Sequence, residues 1–358
     1  MLSYFRLNDV VIDTIITLCF PVIAAVRLEK LLKKGGIHLP RSKSSNILAI
    51  MLLFGLLLAL SGCQQAAKKP NQPGQLAPEV QKYSAEPAIS LYRSDTGKVQ
   101  NLQLEQYLKG VVAGEIGPKF PMEALKAQAI IARTNTLALL EYENGTRGKH
   151  NTDASDDHTE FQAYDEKAVN DNISKAVEET RGMVLTNNGK FVYALFHSAS
   201  NGTTASIEEG FPKLAEKAPY LVPVATDGIT KAPEKYKAWT VKVPRSTVKE
   251  IMGTEAGNLD DISIGQTGPS GRVMTVKADQ ATVNAVDLRE KIGFDKLYST
   301  QISSIKAQGN YIVFTGTGWG HGVGMDQWGA SLMAEQGKTA RDIVAHYYPQ
   351  AQMTQIYQ

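Results

Sequence analysis

The sequence predicts a mixed α+β fold, with a helix-rich first half that carries a candidate catalytic glutamate, a strand-rich second half, and a groove between the two. Three observations predict this class. Apolar residues recur at helical spacing over residues 104–142. Short apolar stretches separated by turn residues recur over 237–315, as is typical of strands. No segment is repeated along the chain.

The helix-rich half opens with two predicted strands, at 88–92 and 99–102, joined by a Ser-Asp-Thr-Gly turn. Residues 104–116 are predicted to form a helix. A longer helix begins at Pro121, a residue favoured in the first helical turn, and Glu123 suits the positive end of the helix dipole. The helix is predicted to end near residue 142, before an Asn-Gly pair.

A polar loop at 150–162, a helix at 171–180 and a hairpin at 183–196 connect the two halves. The elements predicted in the second half alternate in type: strands at 237–243, 272–277 and 311–315, helices at 246–252, 286–292, 327–336 and 341–348, and a short terminal strand. Residues 229–310 are a candidate strand-rich subdomain within a catalytic domain that spans 88–358.

Residues 1–62 are predicted to be an N-terminal signal region, with a lipoprotein signal at about 39–62. Arg41 and Lys43 supply a positive start, residues 46–60 are apolar but short for a membrane span, and Leu-Ser-Gly-Cys follows. Cys63 is the predicted lipidation site, and residues 63–87 form a predicted flexible tether. The alternative is a plain transmembrane anchor. The expected location is outside the cytoplasmic membrane, attached to it by acyl chains.

Residues 1–38 allow two interpretations. Residues 10–26 form a second apolar run that could be a membrane segment. We favour a start codon assigned too early, because Lys34-Gly35-Gly36 is what a purine-rich ribosome-binding site encodes and Leu39 could be a TTG start. The nucleotide sequence around codons 33–39 decides between them.

Composition excludes several functions. Residues 1–63 carry seven of the 38 basic and three of the 36 acidic side chains, which leaves 31 basic and 33 acidic after the signal. With no basic excess, nucleic acid is not an expected partner. The only cysteines are Cys19 and Cys63, so a lipidated mature chain has no free thiol for a disulfide, a nucleophile or zinc.

Glu115 is the strongest candidate for chemistry. It closes an apolar helical stripe formed by Leu104, Leu108 and Val111. A carboxyl group in such a place is partly desolvated, which raises its pKa and lets it act as a general acid near neutral pH. The alternative is a structural salt bridge to Arg133 or Lys126.

The glycine-dense loop at 318–330 is the second candidate. Its glycines are entropically costly unless the backbone needs close approach or positive φ. It presents His321, Asp326, Gln327 and two tryptophans, Trp319 and Trp328, a combination that suits stacking on a sugar and bonding to its hydroxyls. We expect this loop to lie against Glu115 with His321 nearest the acid. The alternative is a tight turn that packs its indoles into the core.

The segment 196–204 contributes His197 and Ser198 at the end of a predicted strand. No Gly-x-Ser-x-Gly sequence surrounds the serine, so hydrogen bonding at a groove wall is favoured over a nucleophile.

These segments together resemble the stage II sporulation protein D / amidase-enhancer (SpoIID/LytB) family. The resemblance rests on residues 105–115 and 121–134, His197-Ser198 with Gly202, the Gly-Trp-Gly-His-Gly-Val-Gly-Met-x-Gln-Trp-Gly-Ala run, and residues 346–349. It implies a lytic transglycosylase that cleaves peptidoglycan glycan strands, with Glu115 as the single acid/base. The implied substrate-binding residues are His321, Gln327, Trp319, Asp326, His197, Ser198 and Arg133.

The sequence departs from that family in the loop 150–164. Ser155 and Phe161 stand where the sporulation enzyme has zinc-binding cysteines, and Glu160 where it has a histidine. His150, Asp156, Asp157 and His158 do not have a diagnostic metal-ligand spacing. No metal or other cofactor is therefore expected. Two functions stay open: a glycan-cleaving enzyme, and a wall-binding module without cleavage that recruits or stimulates a cell-wall amidase.

Overall fold

The computed structural model describes residues 75–358. The predicted lipoprotein signal, the lipidation site Cys63 and the first part of the predicted tether lie outside these residues. No helix within 75–358 is both long enough and apolar enough to cross a membrane.

The last part of the predicted tether is folded. The tether is therefore shorter than the sequence predicts. Helix α1, Pro78–Gln81, buries Val80 completely, and Ala77 is buried beside it. The Ala77 N–H donates to the carbonyl of Gly189 at 2.8 Å. Ala77 and Val80 attach the segment to the domain, but the surrounding polar composition of the sequence gave no indication of this.

The first layer of the domain is built from residues 88–179. Strand β1, Ala88–Arg93, pairs antiparallel with β2, Lys98–Gln103, and parallel with β3, Ala154–Ser155. The helices of this part are α2, Leu104–Glu115, α3, Met122–Tyr142, α4, Arg147–His150, and α5, Asp171–Glu179. The apolar faces of α2, α3 and α5 share a core with Ile89 and Leu91 of β1. Strands β1 and β2 and the long helices lie where the sequence predicts them, whereas β3 falls in the segment predicted as a polar loop.

Helix α3 is the centre of the domain because opposite faces of it enter two cores. Leu125, Ala129 and Ala132 pack in the first core, while Ile130 and Ile131 pack in the second. A helix that is apolar on all sides is a buried helix. The sequence predicts its length but not that both faces are covered.

The second core lies between α3 and the elements that end the chain. The strands of this part of the chain are β4, Met183–Asn187, β5, Lys190–Phe191, β6, Phe196–His197, β7, Gly202–Thr203, β8, Ala225–Thr226, β15, Met325–Asp326, and β16, Gln352–Gln355. Phe191 of β5 packs in the first core. The helices of this part are α6, Ile207–Gly210, α10, Gln327–Glu335, and α11, Ala340–Tyr347. The order β16-β4-β5 places the terminal strand beside β4, and β15 runs parallel to β6.

The third core is formed by residues between Trp239 and Phe314. One sheet has the order β13-β14-β9, from Ile302–Gln308, Tyr311–Gly316 and Trp239–Pro244. A second has the order β10-β11-β12, from Ser263–Ile264, Thr275–Ala278 and Ala281–Asn284. Helices α7, Glu234–Lys237, α8, Arg245–Met252, and α9, Ala285–Ile292, complete this strand-rich part. The mixed α+β class is confirmed.

Candidate active site

Glu115 is the last residue of α2, and the residue keeps part of its surface in solvent. The N–H of Ala163 donates to Glu115 Oε1 at 2.7 Å. Burial raises the pKa of Glu115 to about 7, and the Ala163 N–H opposes this rise only in part. The carboxyl group can therefore both hold and release a proton near neutral pH.

Two glycines of α2 bring Ala163 to Glu115. A Cβ on Gly114 would lie 2.8 Å from the Tyr164 nitrogen and 2.9 Å from the Ala163 carbonyl carbon. A Cβ on Gly110 would lie 2.1 Å from the Tyr164 ring. The i, i+4 spacing of the two glycines leaves a bare helix face on which residues 163–164 lie directly. The spacing of the two glycines can be read from the sequence, but the segment that packs on them cannot.

Glu115 forms no ion pair within residues 75–358, so the salt-bridge alternative for it is wrong. Arg133 pairs with Glu105, with Nε to Oε1 at 2.9 Å and Nη2 to Oε2 at 2.5 Å. Lys126 pairs with Glu123 and Glu179. Neither cation is available to Glu115.

The substrate-binding assignment of Arg133 is also wrong. Its side chain is 0% exposed, and it donates further hydrogen bonds to backbone carbonyls of α3, α5 and the start of β4. A guanidinium in this position cannot contact a polymer in solution. Its partner Glu105 also accepts hydrogen bonds from the Tyr357 hydroxyl and the Gly182 N–H. The pair fixes helices α2 and α3 to the C-terminal segment.

The loop 318–330 reaches Glu115 through Gln327. Gln327 Nε2 donates to the backbone carbonyl of Glu115 and to Gln128 Oε1, both at 3.2 Å. Gln327 is the loop residue that contacts Glu115, whereas His321 contacts other groups. Trp328, the second tryptophan of the loop, packs its ring on Phe120, with the ring centroids 4.9 Å apart.

The glycines of this loop meet real steric demands. Gly318, Gly320, Gly322 and Gly324 all have positive φ. A Cβ on Gly324 would lie 1.8 Å from the Leu195 carbonyl oxygen. The loop is thus pressed against β6 with no room for a side chain there.

Asp326 serves the fold and not the substrate, which corrects its assignment to substrate binding. It is 0% exposed and caps helix α10 by accepting the Gly329 N–H at 3.0 Å. Its other carboxylate oxygen accepts from Thr226 Oγ1 and the Ser200 N–H. Burial raises the pKa of Asp326 to about 6, although these hydrogen bonds favour the ionised form.

His197 and His321 form a second cluster, with ring centroids 5.8 Å apart. His197 is buried, and its Nε2 lies 2.5 Å from Ser200 Oγ. His321 Nδ1 accepts the Val323 N–H at 3.1 Å, and its ring meets the Phe211 edge. Burial lowers the pKa of His197 well below its usual range and that of His321 to about 3, so both rings are neutral at neutral pH.

Arg272 belongs to this cluster and was not predicted. It is fully buried, and it donates from Nη2 to Ser200 Oγ at 2.7 Å. A Cβ on Gly322 would lie 2.2 Å from Arg272 Nε, so the guanidinium covers the loop backbone. Ser198 remains partly exposed, and its carbonyl accepts the Trp328 N–H at 3.2 Å. Of the second cluster, only His321 keeps solvent access comparable to that of Ser198.

Most of the loop side chains considered as metal ligands are engaged with other groups. His150 Nε2 lies 2.6 Å from Glu160 Oε2, and the His150 ring stacks on Tyr92 at 3.9 Å. Asp156 accepts from Arg93 and from the Ser94 N–H. Within residues 75–358 no three His, Cys, Asp or Glu side chains are grouped as they would be around a metal ion. The expectation of no cofactor stays a prediction.

Comparison with known proteins identifies the family. A family described as "Stage II sporulation protein" (SpoIID) matches residues 92–187. The stage II sporulation protein D of Bacillus amyloliquefaciens is 33% identical over 327 residues, which cover 85% of this chain and 92% of the relative. The chain belongs to the stage II sporulation protein D family.

Two further relatives and a second family model also match the chain. The stage II sporulation protein D of Bacillus subtilis (strain 168) is 34% identical over 282 residues, covering 75% of this chain and 79% of the relative. The amidase enhancer of the same organism is 27% identical over 300 residues, covering 69% of this chain and 40% of the relative. A family described as a domain of unknown function (DUF8618) matches residues 227–324.

The SpoIID match contains both Glu115 and Ala163. The second match contains the third core and the first part of the glycine-dense loop. Gln327, three residues past the end of the second match, makes the hydrogen bond to Glu115.

Proposed function

We propose that this protein is a peptidoglycan lytic transglycosylase that cleaves the MurNAc–GlcNAc bond of glycan strands with Glu115 as its single acid/base. The observation that carries the proposal is Glu115, a partly exposed residue whose carboxyl group has its pKa raised to about 7 by burial. The membership in the stage II sporulation protein D family supports it.

The proposed reaction uses one carboxyl group twice. Protonated Glu115 gives its proton to the glycosidic oxygen as the bond to the anomeric carbon breaks. The resulting carboxylate removes the proton from the C6 hydroxyl of the same MurNAc, whose oxygen then attacks the anomeric carbon. The product is a 1,6-anhydro-MurNAc end, and Glu115 regains its proton.

The surroundings of Glu115 fit both steps. Oε1 is held by the Ala163 N–H, which leaves Oε2 for the substrate and stabilises the carboxylate after the first proton transfer. Within residues 75–358, burial and this N–H are the two influences on the pKa of Glu115, and no second carboxylate of these residues perturbs it. A hydrolase that uses two carboxylates needs such a partner near its acid.

The test is digestion of purified peptidoglycan by the full-length chain in detergent, with mass spectrometry of the released fragments. We expect 1,6-anhydro-MurNAc ends. Reducing MurNAc ends would indicate a hydrolase. Unchanged glycan strands would show that the protein does not cleave them and would contradict the proposal.

We expect the pH profile of cleavage to report the ionisation of Glu115. The first step needs the protonated acid, so kcat/KM should be constant below pH 6 and fall about tenfold per pH unit above a midpoint near pH 7. Rates measured from pH 5 to 9 at constant ionic strength test this. A midpoint near pH 4.5 would mean that burial does not raise the pKa as the structure indicates.

The second candidate function is a wall-binding module that stimulates a cell-wall amidase without cleaving glycan. The relative named amidase enhancer favours it. Absence of glycan cleavage in the digestion, together with faster release of stem peptides when an amidase is added, would select this function.

We further propose that the chain acts outside the cytoplasmic membrane as a lipoprotein anchored through Cys63. Because two or three acyl chains give stable anchoring where one does not, the mature chain should partition into detergent with the membrane. Cys63→Ser should release or mislocalise it. Mass spectrometry of the mature N-terminus checks this, and any first residue other than a lipidated Cys63 contradicts it.

A further inference from the structure

Three aromatic side chains form a cluster at the start of the glycine-dense loop. The rings of Tyr298 and Trp319 lie 4.4 Å apart with an interplanar angle of 21°, and the rings of Tyr236 and Trp319 lie 4.8 Å apart at 44°. All three side chains keep part of their surface in solvent. We call Tyr236, Trp319 and Tyr298 the aromatic platform.

Core packing accounts for only one of the three platform residues, Tyr298, which packs against the third core with its ring 5.9 Å from that of Trp239. The indole that fills the third core is Trp239, which is 6% exposed and donates from Nε1 to the Gly318 carbonyl at 3.1 Å. Trp319 and Tyr236 belong to none of the three cores. Large aromatic groups that remain partly exposed in a cluster are typical of binding surfaces.

Lys235 adds a positive charge to the platform. Its ammonium lies 5.1 Å from the centroid of the Tyr236 ring and 5.2 Å from that of Trp319. Within residues 75–358 no carboxylate lies within ion-pair distance of it, because the adjacent Glu234 pairs with Lys237 at 2.7 Å instead. This ammonium is free to meet an acidic group of a ligand.

The platform is connected to the candidate acid by the loop backbone. The Gly318 N–H donates to the Tyr236 carbonyl at 2.7 Å, and the Gly320 N–H donates to the Tyr298 carbonyl at 2.9 Å. The same loop continues to Gln327, which contacts Glu115. A ligand held on the platform is thus held by the loop that touches the acid.

We propose that the aromatic platform and Lys235 form a glycan-binding subsite, in which amino-sugar rings stack on the aromatic groups and Lys235 binds a carboxylate of the strand. This rests on the proposed function and gives the segment 227–324 a role in it. Sugar rings present apolar C–H faces to aromatic rings, and a carboxylate complements the unpaired ammonium. In peptidoglycan that carboxylate comes from the MurNAc lactyl group or from a stem peptide.

The experiment measures binding without cleavage, using the full-length chain in detergent with Glu115→Gln as the parent. The probes are glycan strands stripped of peptide, strands that carry stem peptides, and neutral β-1,4-linked GlcNAc hexamers. Tyr236→Ala and Lys235→Gln are compared with Tyr311→Ala and Lys242→Gln, which remove the same groups from exposed positions of the same segment.

We expect Tyr236→Ala to weaken binding of all three probes by about tenfold, as loss of one aromatic contact allows. Lys235→Gln should weaken binding of the acidic probes by about 2–5-fold and leave the neutral hexamer unchanged. If Lys235→Gln weakens binding of stripped strands alone, the group that Lys235 binds is the lactyl carboxylate. If it weakens binding of peptide-bearing strands alone, that group is a carboxylate of the stem peptide. Both control variants should bind like the parent.

The subsite is overturned if folded Tyr236→Ala and Lys235→Gln bind every probe as the controls do, or if the parent binds none of the probes. A lowered melting temperature for Tyr236→Ala with unchanged binding would make the platform a packing feature. Binding is measured in the Glu115→Gln background. The binding result therefore holds even if the wild-type protein proves not to cleave glycan strands. The two proposals therefore fail separately.

Discussion

Glu115→Gln should remove glycan cleavage while leaving the fold in place. The amide has nearly the shape of the carboxyl group, and its oxygen can still accept the Ala163 N–H that now bonds Oε1. It cannot donate a proton to the glycosidic oxygen and take one back. Loss of general acid–base catalysis alone costs roughly 10²–10⁴ in rate, and a single-carboxyl mechanism has no second group to compensate.

The matched control is Glu123→Gln. Glu123 also lies near one end of a helix, but it pairs with Lys126 and accepts the Ala340 N–H, away from any group assigned to the chemistry. Its variant should release anhydro ends at close to the parent rate. Melting temperatures establish that both proteins are folded. Wild-type release of anhydro-muropeptides by folded Glu115→Gln would remove Glu115 from the mechanism.

The sequence predicted the features that depend on local periodicity. Helices α2 and α3 lie within one residue of their predicted ends because apolar spacing, a proline start and an Asn-Gly stop are local signals. Glu115 was singled out as a candidate for the same reason, as the end of an apolar stripe. Strand β13, Ile302–Gln308, was missed because it is half exposed and has a register shift between Ile302 and Ser304 that breaks the alternation.

The predictions that failed concern residues whose hydrogen-bond and ion-pair partners lie far away in the sequence. Arg133 and Asp326 looked like binding groups because a motif shows a polar side chain without its partner. Their partners, Glu105, Thr226 and Ser200, come from separate elements that the fold brings together. The contact of Ala163 with Glu115 is of the same kind, although Gly110 and Gly114 signalled that something packs there.

Arg133→Met should destabilise the fold by about 3–5 kcal/mol, the usual cost of removing one partner of a buried ion pair. Both members are almost inaccessible, at 0% and 6% side-chain exposure. Burial alone would raise the pKa of Glu105, but the Arg133 guanidinium, the Tyr357 hydroxyl and the Gly182 N–H together lower it. Without Arg133 the carboxylate loses its countercharge, and its pKa should rise above the usual range.

The sign of the pH dependence follows from that rise. In the wild type, the lowered pKa of Glu105 contributes stability at pH values above the ordinary glutamate range, and this is lost as pH falls through the folded-state pKa. In Arg133→Met, protonation of Glu105 at low pH removes the buried charge. The difference in unfolding free energy between the two proteins should therefore be larger at pH 8 than at pH 5.

Denaturant unfolding of Arg133→Met and Lys126→Met at both pH values provides the measurement. Lys126 also forms ion pairs, but with partly exposed Glu123 and Glu179, so its loss should cost at most about 1 kcal/mol. If Arg133→Met were as stable as Lys126→Met and instead bound glycan strands less tightly, Arg133 would be a substrate contact. Comparing the two variants thus shows whether Arg133 stabilises the fold or binds the substrate, a distinction that the sequence motif alone does not make.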